Sequence, residues 1–471
     1  MKKILTMAML LAACLGAGAQ QYKIEFRLEG ATDSVLYIAR HFRDQLQVVD
    51  SARAGKDGSY VFKGKKAWSR NIYALVHQDK EKAIGDFAID DSRQFTITAD
   101  AKMTPSTVKV KGSEANSRMF SYIARWNDAK QRRADIEKRK KNAATKEQAE
   151  KEEQALLDEM KAYDDEVRHP KKSQVFFDLL NYFDDTDVPD TVTDKPYWFR
   201  THYWDRLFSE KTPLPMAEMR YTPNLYNKLN YFFYGQLYHA DSDTIIKEID
   251  RLAARIGNDT AMLHYVFDHI EPRYFRSTRN IGWDAVWCHL ASEYYLKGRC
   301  PWATEGTLYN MEYNYKRIRQ SLIGVHGQEL WMADTNQSTN PDDWISSHRF
   351  PQKYVILWFW DPDCHHCQEQ SAELKVLYDS LLTAPYRPFE VYAVGYESDI
   401  PKWKKYVREH DFRWVNVGGP NVNIDYQEAY NIHGAPTMII LNEKRDIIMN
   451  KLLPIKSILQ FLDEYEKKVN G

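Results

Sequence analysis

The chain has 471 residues, 43% of them hydrophobic, with 65 lysines and arginines against 66 aspartates and glutamates. Such a length exceeds one typical core, so we expect two or three domains. The formal net charge of −1 argues against a nucleic-acid binder or a polybasic membrane protein, and the 13 tryptophans argue against a disordered chain.

The first 19 residues have the pattern of a signal peptide. Lys2 and Lys3 give a basic start, residues 4–15 form a short apolar run, and Ala17-Gly18-Ala19 supplies the small residues that a signal peptidase accepts. The apolar run is too short to span a bilayer well, and we expect no transmembrane segment elsewhere. The sequence therefore predicts an exported protein of the periplasm or cell envelope.

Lipidation is a second interpretation of the same segment. Leu11-Ala12-Ala13-Cys14 resembles the lipobox of bacterial lipoproteins, so a lipid anchor at Cys14 is the alternative to cleavage after Ala19. Both interpretations place the body of the protein outside the cytoplasm.

Residues 20–112 are predicted to form a β-sandwich domain. Tyr22, Ile24, Phe26 and Leu28 alternate with polar residues, as in a half-buried strand. Further short strands are expected in SVLYIA, QVVDSA, SYVF, NIYALV, DFAI, FTITA and TVKV. Turn-forming residues separate these stretches, which is typical of a β-sandwich.

Residues 113–322 are predicted to form a helical domain. Leu156, Met160, Tyr163 and Val167 recur every three or four residues, which gives one apolar helix face. The basic cluster 138–141 lies among equally many acidic residues, so we interpret it as a solvated face with no nucleic-acid partner. The pattern does not identify a ligand for this domain.

Residues 323–471 are predicted to form an α/β domain. YVILWFW (354–360) is unbroken in its apolarity, as in a strand buried on both faces. Strands are also expected in FEVYAVGY, PTMIIL and DIIMNKL, and helices after Cys367, near 401–410 and over 456–469. Alternating strands and helices are typical of a layered α/β fold.

A pair of cysteines, Cys364 and Cys367, lies where the strand at 354–360 passes into a helix. The unpaired N–H groups and the positive dipole end of a helix N-terminus stabilise a thiolate there. A second cysteine three residues on is placed to attack a mixed disulfide formed by the first. The spacing therefore indicates thiol–disulfide chemistry.

These residues, with Trp360 and Gly434-Ala435-Pro436-Thr437 before a later strand, resemble the thioredoxin superfamily, especially its exported TlpA/ResA-like thiol–disulfide oxidoreductases. The resemblance covers residues 324–471. Upstream, HYWDRLF and RYTPNL resemble exported multidomain members of this group, which carry a β domain and a helical domain of unknown function.

The resemblance implies roles for the residues of the site. Cys364 would be the nucleophile, Cys367 the resolving cysteine, and Pro436 a cis proline beside the pair. Trp360, Ala435 and Thr437 would join Pro436 in tuning the pair or shaping the substrate groove.

The chain departs from thioredoxin near the pair. Thioredoxins place a buried carboxylate six positions before the first cysteine, where Trp358 stands here, so Asp361, Asp363 and Glu397 are the candidates for proton handling. His365-His366 replaces Gly-Pro. A protonated His366 would favour the thiolate and raise the reduction potential, whereas the two aspartates act in the opposite sense.

Metal and haem sites are competing interpretations of Cys-His-His-Cys. Four consecutive residues cannot all surround one tetrahedral zinc ion, and haem attachment needs a histidine where Gln368 stands. A copper carrier stays open, because thioredoxin-fold copper proteins pair two cysteines with a histidine, for which His433 is the candidate. A peroxiredoxin needs a threonine where Asp361 stands. We expect no metal and no cofactor.

Cys288 and Cys300 are expected to be free thiols. Twelve residues of helix between them separate their Cα atoms by about 18 Å, and a disulfide tolerates only about 7 Å. A bridge would require the chain to fold back at Gly298.

The function predicted is that of an exported thiol–disulfide oxidoreductase that acts on protein thiols and disulfides with an envelope redox partner. The alternative is a binding or scaffold protein, or a copper carrier, with a thioredoxin-fold module. The sequence identifies neither the substrate nor the direction of electron flow.

Overall fold

The computed structural model describes residues 22–65, 68–80, 82–142, 144–184, 188–205, 207–208, 212–276, 280–396 and 399–470. The predicted signal peptide, Cys14 and Glu397 lie outside these ranges. The chain forms two compact units: residues up to Tyr238 with Arg251–Leu263, and His239–Asp250 with the chain from His264 onward. The domain limits predicted above stay predictions, and the one at 322/323 falls inside the second unit.

The N-terminal strands form a β-sandwich, as predicted. They are β1 Tyr22–Glu29, β2 Val35–Phe42, β3 Gln45–Arg53, β4 Ser59–Gly64, β5 Asn71–Val76, β6 Ala83–Ile89, β7 Gln94–Asp100 and β8 Lys109–Lys111. One sheet has the order β4-β1-β7-β8 and the other β3-β2-β5-β6. The alternation in β1 buries Ile24 and Phe26, and the Phe26 ring meets Phe87 of the other sheet at 5.3 Å.

Helices follow, beginning where the hydrophobic period changes. They are α1 Glu114–Lys140, α2 Lys146–Val167, α3 Val175–Tyr182, α4 Lys195–His202, α5 Met216–Met219, α6 Pro223–Asn230, α7 Ser242–Ile256, α8 Thr260–Arg276, α9 Trp283–His289 and α10 Glu305–Ile318. Ser113 caps α1 by accepting from the Asn116 N–H. Leu156 and Met160 are buried against α1, as the apolar face predicts. Within the described ranges, no helix is long and apolar enough to cross a bilayer.

The C-terminal part is an α/β fold around a seven-stranded sheet. Its elements are β9 Trp331–Asp334, β10 Ile345–Ser346, β11 Tyr354–Trp360, α11 His365–Leu382, β12 Phe389–Gly395, α12 Ile400–Glu409, β13 Val415–Val422, α13 Tyr426–Ala429, β14 Thr437–Leu441, β15 Ile447–Met449 and α14 Ile458–Asn470. The strand order is β10-β9-β13-β12-β11-β14-β15. This architecture confirms the predicted fold class.

The apolar composition of the central strand β11 follows from its burial on both faces of the sheet. All seven of its residues are buried, because Ile356, Trp358 and Trp360 enter one apolar layer and the alternate residues enter the layer on the opposite face. β11 pairs with β12 in parallel and with β14 in antiparallel orientation. The register pairs Phe359 with Thr437, so the loop before β14 lies beside the end of β11.

Three strands of this sheet were missed by the pattern analysis. β9 and β10 are short and lie in or near a stretch rich in Asn, Ser and Pro, and β13 contains Gly418, Gly419 and Pro420. Those residue types predict a turn. The strands form because neighbours supply the hydrogen bonds: β13 pairs with β12 and, across an irregular register, with β9.

Candidate active site

Cys364 is the N-cap residue of α11 and lies in the turn between the buried strand β11 and this helix. Its sulfur accepts a hydrogen bond from the Cys367 N–H at 3.2 Å, and its carbonyl accepts from Gln368 N at 3.0 Å. The side chain is half-buried. An unpaired N–H and the positive end of the helix dipole therefore both stabilise negative charge on this sulfur.

Cys367 lies in the first turn of α11 and is fully buried, in the same apolar layer as Trp360 and Leu374. Burial, followed by the interaction with Cys364, raises the pKa of Cys367 to about 12. Both cysteines are free thiols. At neutral pH Cys367 is thus a protonated thiol beneath an accessible Cys364 sulfur.

The loop before β14 completes the surroundings of Cys364. The Ala435–Pro436 peptide bond is cis, which confirms the prediction for Pro436. The Ala435 carbonyl oxygen lies 3.6 Å from Cys364 Sγ, and the Thr437 hydroxyl donates to the Gly434 carbonyl at 2.7 Å. The half-buried backbone of this loop therefore lies directly beside the Cys364 sulfur.

Trp360 has a different role from the one expected for a groove residue. It is fully buried, and its ring packs against Tyr406 and Phe412 at 5.5 Å each. The expectation that it lines the substrate groove is wrong, because no part of a side chain at 0% exposure reaches solvent. It supports the pair from within the core.

The two histidines between the cysteines face solvent. Their side chains are 79% and 82% exposed, and both imidazoles lie near Glu369: His365 Nε2 at 3.2 Å and His366 Nδ1 at 3.3 Å from its carboxylate. Water screens a charge at such exposure, and Glu369 opposes it. Any tuning of the sulfur by His365 and His366 is therefore weaker than their place in the motif indicates.

The carboxylates near the pair are of two kinds. Asp361 accepts from the Asp363 N–H at 2.6 Å; a hydrogen bond with its backbone lowers the pKa of Cys367, and the charge of its carboxylate, a smaller effect, raises that pKa. Asp363 instead pairs with Lys402 at the start of α12. The position of the carboxylate found in thioredoxin holds Trp358, whose indole N–H donates to the Ser371 hydroxyl at 3.0 Å. Asp361 is the described carboxylate that acts on Cys367.

His433, the candidate copper ligand, lies in the loop before the cis proline. Its Nε2 is 2.8 Å from the Asn431 amide oxygen, and burial, followed by the charge of Arg317, lowers its pKa. In the part of the chain that is described, no group of three or more His, Cys, Asp or Glu side chains is arranged to hold a metal ion.

The order of thiol modification checks this description of the pair. We expect iodoacetamide to modify Cys364 first in the reduced, folded protein. The pKa of Cys367 is about 12, as are those of Cys288 and Cys300, so raising the pH from about 7 to about 9 leaves these three thiols protonated and unreactive. Mass spectrometry of peptides from timed, quenched reactions gives the order.

The same reaction in guanidinium chloride is the control, since every thiol is then exposed and should react. Modification of Cys367 as fast as Cys364 in the folded protein would contradict the buried, protonated state.

The strand-to-helix turn with its cysteine pair and cis proline defines a class of domain. Residues 352–447 match the thioredoxin-like family, and this part of the chain is a thioredoxin-like domain. Residues 22–119 match a domain of unknown function, DUF4369. None of the curated proteins compared with the chain matches it.

Solved structures are similar to the chain over part of its length. A thioredoxin-like protein from Bacteroides caccae is 17% identical, over 60% of this chain and 98% of that one, with a TM-score of 0.46. A domain of a possible thiol-disulfide isomerase from Cytophaga hutchinsonii is 29% identical, over 32% and 96%, with a TM-score of 0.28. The thioredoxin domain of a thiol-disulfide oxidoreductase from Bacteroides vulgatus is 22% identical, over 30% and 96%, with a TM-score of 0.26.

Proposed function

We propose that the protein is an exported thiol–disulfide oxidoreductase acting on protein thiols and disulfides of the cell envelope. The observation that carries the proposal is the unequal state of the two sulfurs. Cys364 is half-exposed and accepts a helix N-terminal N–H, whereas Cys367 is buried with a pKa of about 12. Cys364 is suited to attack a substrate disulfide, and Cys367 stays a protonated thiol until the second step.

In the reducing direction, the Cys364 thiolate attacks one sulfur of a substrate disulfide. That S–S bond breaks, a bond forms between Cys364 and the attacked sulfur, and the other substrate sulfur leaves as a thiolate. Cys367 then transfers its proton to Asp361 and attacks Cys364 Sγ, which expels the second substrate thiolate. Two electrons pass from the pair to the substrate, the pair becomes a disulfide, and both substrate thiolates take up protons.

The loop residues have positioning roles in this proposal. Ala435 presents its carbonyl beside Cys364 Sγ, Pro436 and Thr437 hold the loop, and a substrate chain lies against this backbone. His365 and His366 influence the charge on the Cys364 sulfur only weakly, because water screens the charge of exposed side chains. In the reverse direction, a substrate dithiol is oxidised by the same steps run backwards.

The location and partners belong to the proposal as well. The signal-peptide pattern of residues 1–19, with lipidation of Cys14 as its alternative, places the protein in the periplasm or cell envelope. A second dithiol or disulfide protein of that compartment must return the pair to its starting state after each turnover.

Trapping of mixed disulfides tests the proposed function. In the Cys367→Ala variant, Cys364 still attacks a substrate disulfide but no internal thiol resolves the product. We therefore expect envelope proteins to remain covalently joined to this variant and to be released by dithiothreitol. Non-reducing electrophoresis followed by mass spectrometry identifies them, and the double variant Cys364→Ser/Cys367→Ala is the control.

Absence of trapped protein from Cys367→Ala, with Cys364 shown to react with iodoacetamide, would overturn the proposal. That result would favour the alternative function, a binding protein or a copper carrier. A copper-dependent absorption band would identify the carrier.

A further inference from the structure

A cavity of about 730 Å³ opens beside the loop that carries the cis proline. Gly434, Pro436 and Thr437 form part of its wall, and further wall residues come from α8, α9, α10, the segment after α13, β14 and the chain after β15. All of these wall residues belong to the second compact unit. The volume lies within the range of ligand-binding pockets, about 300–1,000 Å³.

The cavity wall includes residues of the same loop that contacts the Cys364 sulfur. Ala435, whose carbonyl oxygen is 3.6 Å from Cys364 Sγ, stands between two of the wall residues, Gly434 and Pro436. A polypeptide advances by at most about 3.6 Å per residue. The wall residues Gly434 and Pro436 therefore lie within one residue, about 3.6 Å of chain, of the loop residue that contacts the sulfur.

Part of the cavity wall is exposed and apolar. Phe275 and Leu452 are each 43% exposed, and the Phe275 ring packs against the buried Trp287 at 5.0 Å. Covering such side chains with another apolar group removes apolar surface from water. A bulky aliphatic or aromatic side chain is the ligand group that this wall favours.

Several polar side chains of the wall are paired with one another. The Asn450 amide nitrogen donates to Asp284 at 2.6 Å and to the Ser321 carbonyl at 2.8 Å, while its amide oxygen has no hydrogen-bond partner. Lys451 lies 3.5 Å from Asp284, so the two charges balance.

We propose that this cavity binds the segment of a substrate polypeptide next to the cysteine that Cys364 attacks, and that it selects segments with a bulky apolar side chain two or three residues from that cysteine. The proposal rests on the proposed function and adds a substrate preference to it. Phe275 and Leu452 determine specificity and take no part in the sulfur chemistry.

Two model peptides test the preference. Each is a glycine heptapeptide with a central cysteine, disulfide-bonded to thionitrobenzoate, with either leucine or serine two residues to both sides of the cysteine. Attack by Cys364 on the peptide sulfur expels the coloured thionitrobenzoate anion, and Cys367 then releases the peptide thiol. We expect the leucine peptide to react roughly tenfold faster than the serine peptide, because binding energy away from the reacting atoms speeds the attack.

Wall variants identify the source of that preference. In Phe275→Ser and in Leu452→Ser, the ratio of the two rates should fall to within about twofold, with the rate toward dithiobis(nitrobenzoate), which has no peptide, unchanged. Leu459→Ser is the matched control, because Leu459 is 39% exposed in the same unit and outside the cavity wall.

The outcomes separate the two proposals. Equal rates for the two peptides, or a preference that survives in both wall variants, would overturn the cavity proposal, whereas trapping by Cys367→Ala tests the proposed function separately. Failure of Cys364 to react even with dithiobis(nitrobenzoate) would count against the proposed function itself.

Discussion

Replacement of Cys364 by serine is expected to lower the rate of insulin disulfide reduction by at least about a thousandfold. The loss is chemical, because a serine oxygen forms no disulfide with the substrate. The fold should be retained, since the Cys364 side chain caps α11 by accepting from Cys367 N, and serine is among the preferred N-cap residues. The turbidity of precipitating insulin chains, with dithiothreitol as the reductant, measures the rate.

Two further variants serve as comparisons for Cys364→Ser. Cys300→Ala removes another buried thiol outside the site and should keep the wild-type rate. Cys367→Ala, mixed with insulin in the absence of dithiothreitol, should complete one attack and then stop, which appears as a single equivalent of released thiol. Insulin reduction by Cys364→Ser at more than a tenth of the wild-type rate would show that the chemistry does not pass through this sulfur.

The second large effect concerns stability. Trp358→Ala is expected to lower the free energy of unfolding of the thioredoxin-like domain by about 3–5 kcal/mol, because it leaves a cavity of indole size in the core. Trp358 is fully buried in the middle of β11. It also holds the Ser371 hydroxyl, which would lose its indole donor. Hydrogen exchange of peptides covering β11 reads the local opening free energy without assuming two-state unfolding of the whole chain.

Trp358→Phe is the matched comparison. It keeps an aromatic ring in the core but removes the indole N–H, so we expect a loss of about 1–3 kcal/mol. Exchange rates in β1, within the first compact unit, should stay unchanged in both variants. A loss below about 1 kcal/mol for Trp358→Ala would show that this side chain is not a main support of the domain.

Trp358 also changes how protons are handled beside the redox pair. A carboxylate at this position would accept the proton of the buried cysteine, and an indole cannot. In this chain Asp361, in the turn before Cys364, is the described carboxylate whose charge acts on Cys367.

Local patterns predicted the elements whose formation depends on neighbours in the sequence. The period-2 alternation of β1, the apolar face of α2 and the unbroken run of β11 each appear in the structure with the expected burial. β13 was missed because Gly418, Gly419 and Pro420 favour a turn when considered alone. Pairing with β12 and β9 overrides that preference.

The motif likewise located the reactive sulfurs but not all of their surroundings. Cys364, Cys367 and Pro436 could be placed because a strand-to-helix turn and the residues before β14 are short-range features. The size of the effect of His365 and His366 could not be predicted, since their 79% and 82% exposure depends on how α11 meets solvent. Trp360 was expected to tune the pair or to shape the groove, and the layers around β11 bury it.

The amino-acid order alone thus determined that two sulfurs meet at a helix start, because a capping position and a first-turn position are three residues apart. Packing decided which groups surround them. Lys402 reaches Asp363, and Phe275 and Leu452 come to one cavity wall, only after distant segments have folded together. No local pattern encodes such long-range neighbours, so the surroundings of the sulfurs had to come from the tertiary structure.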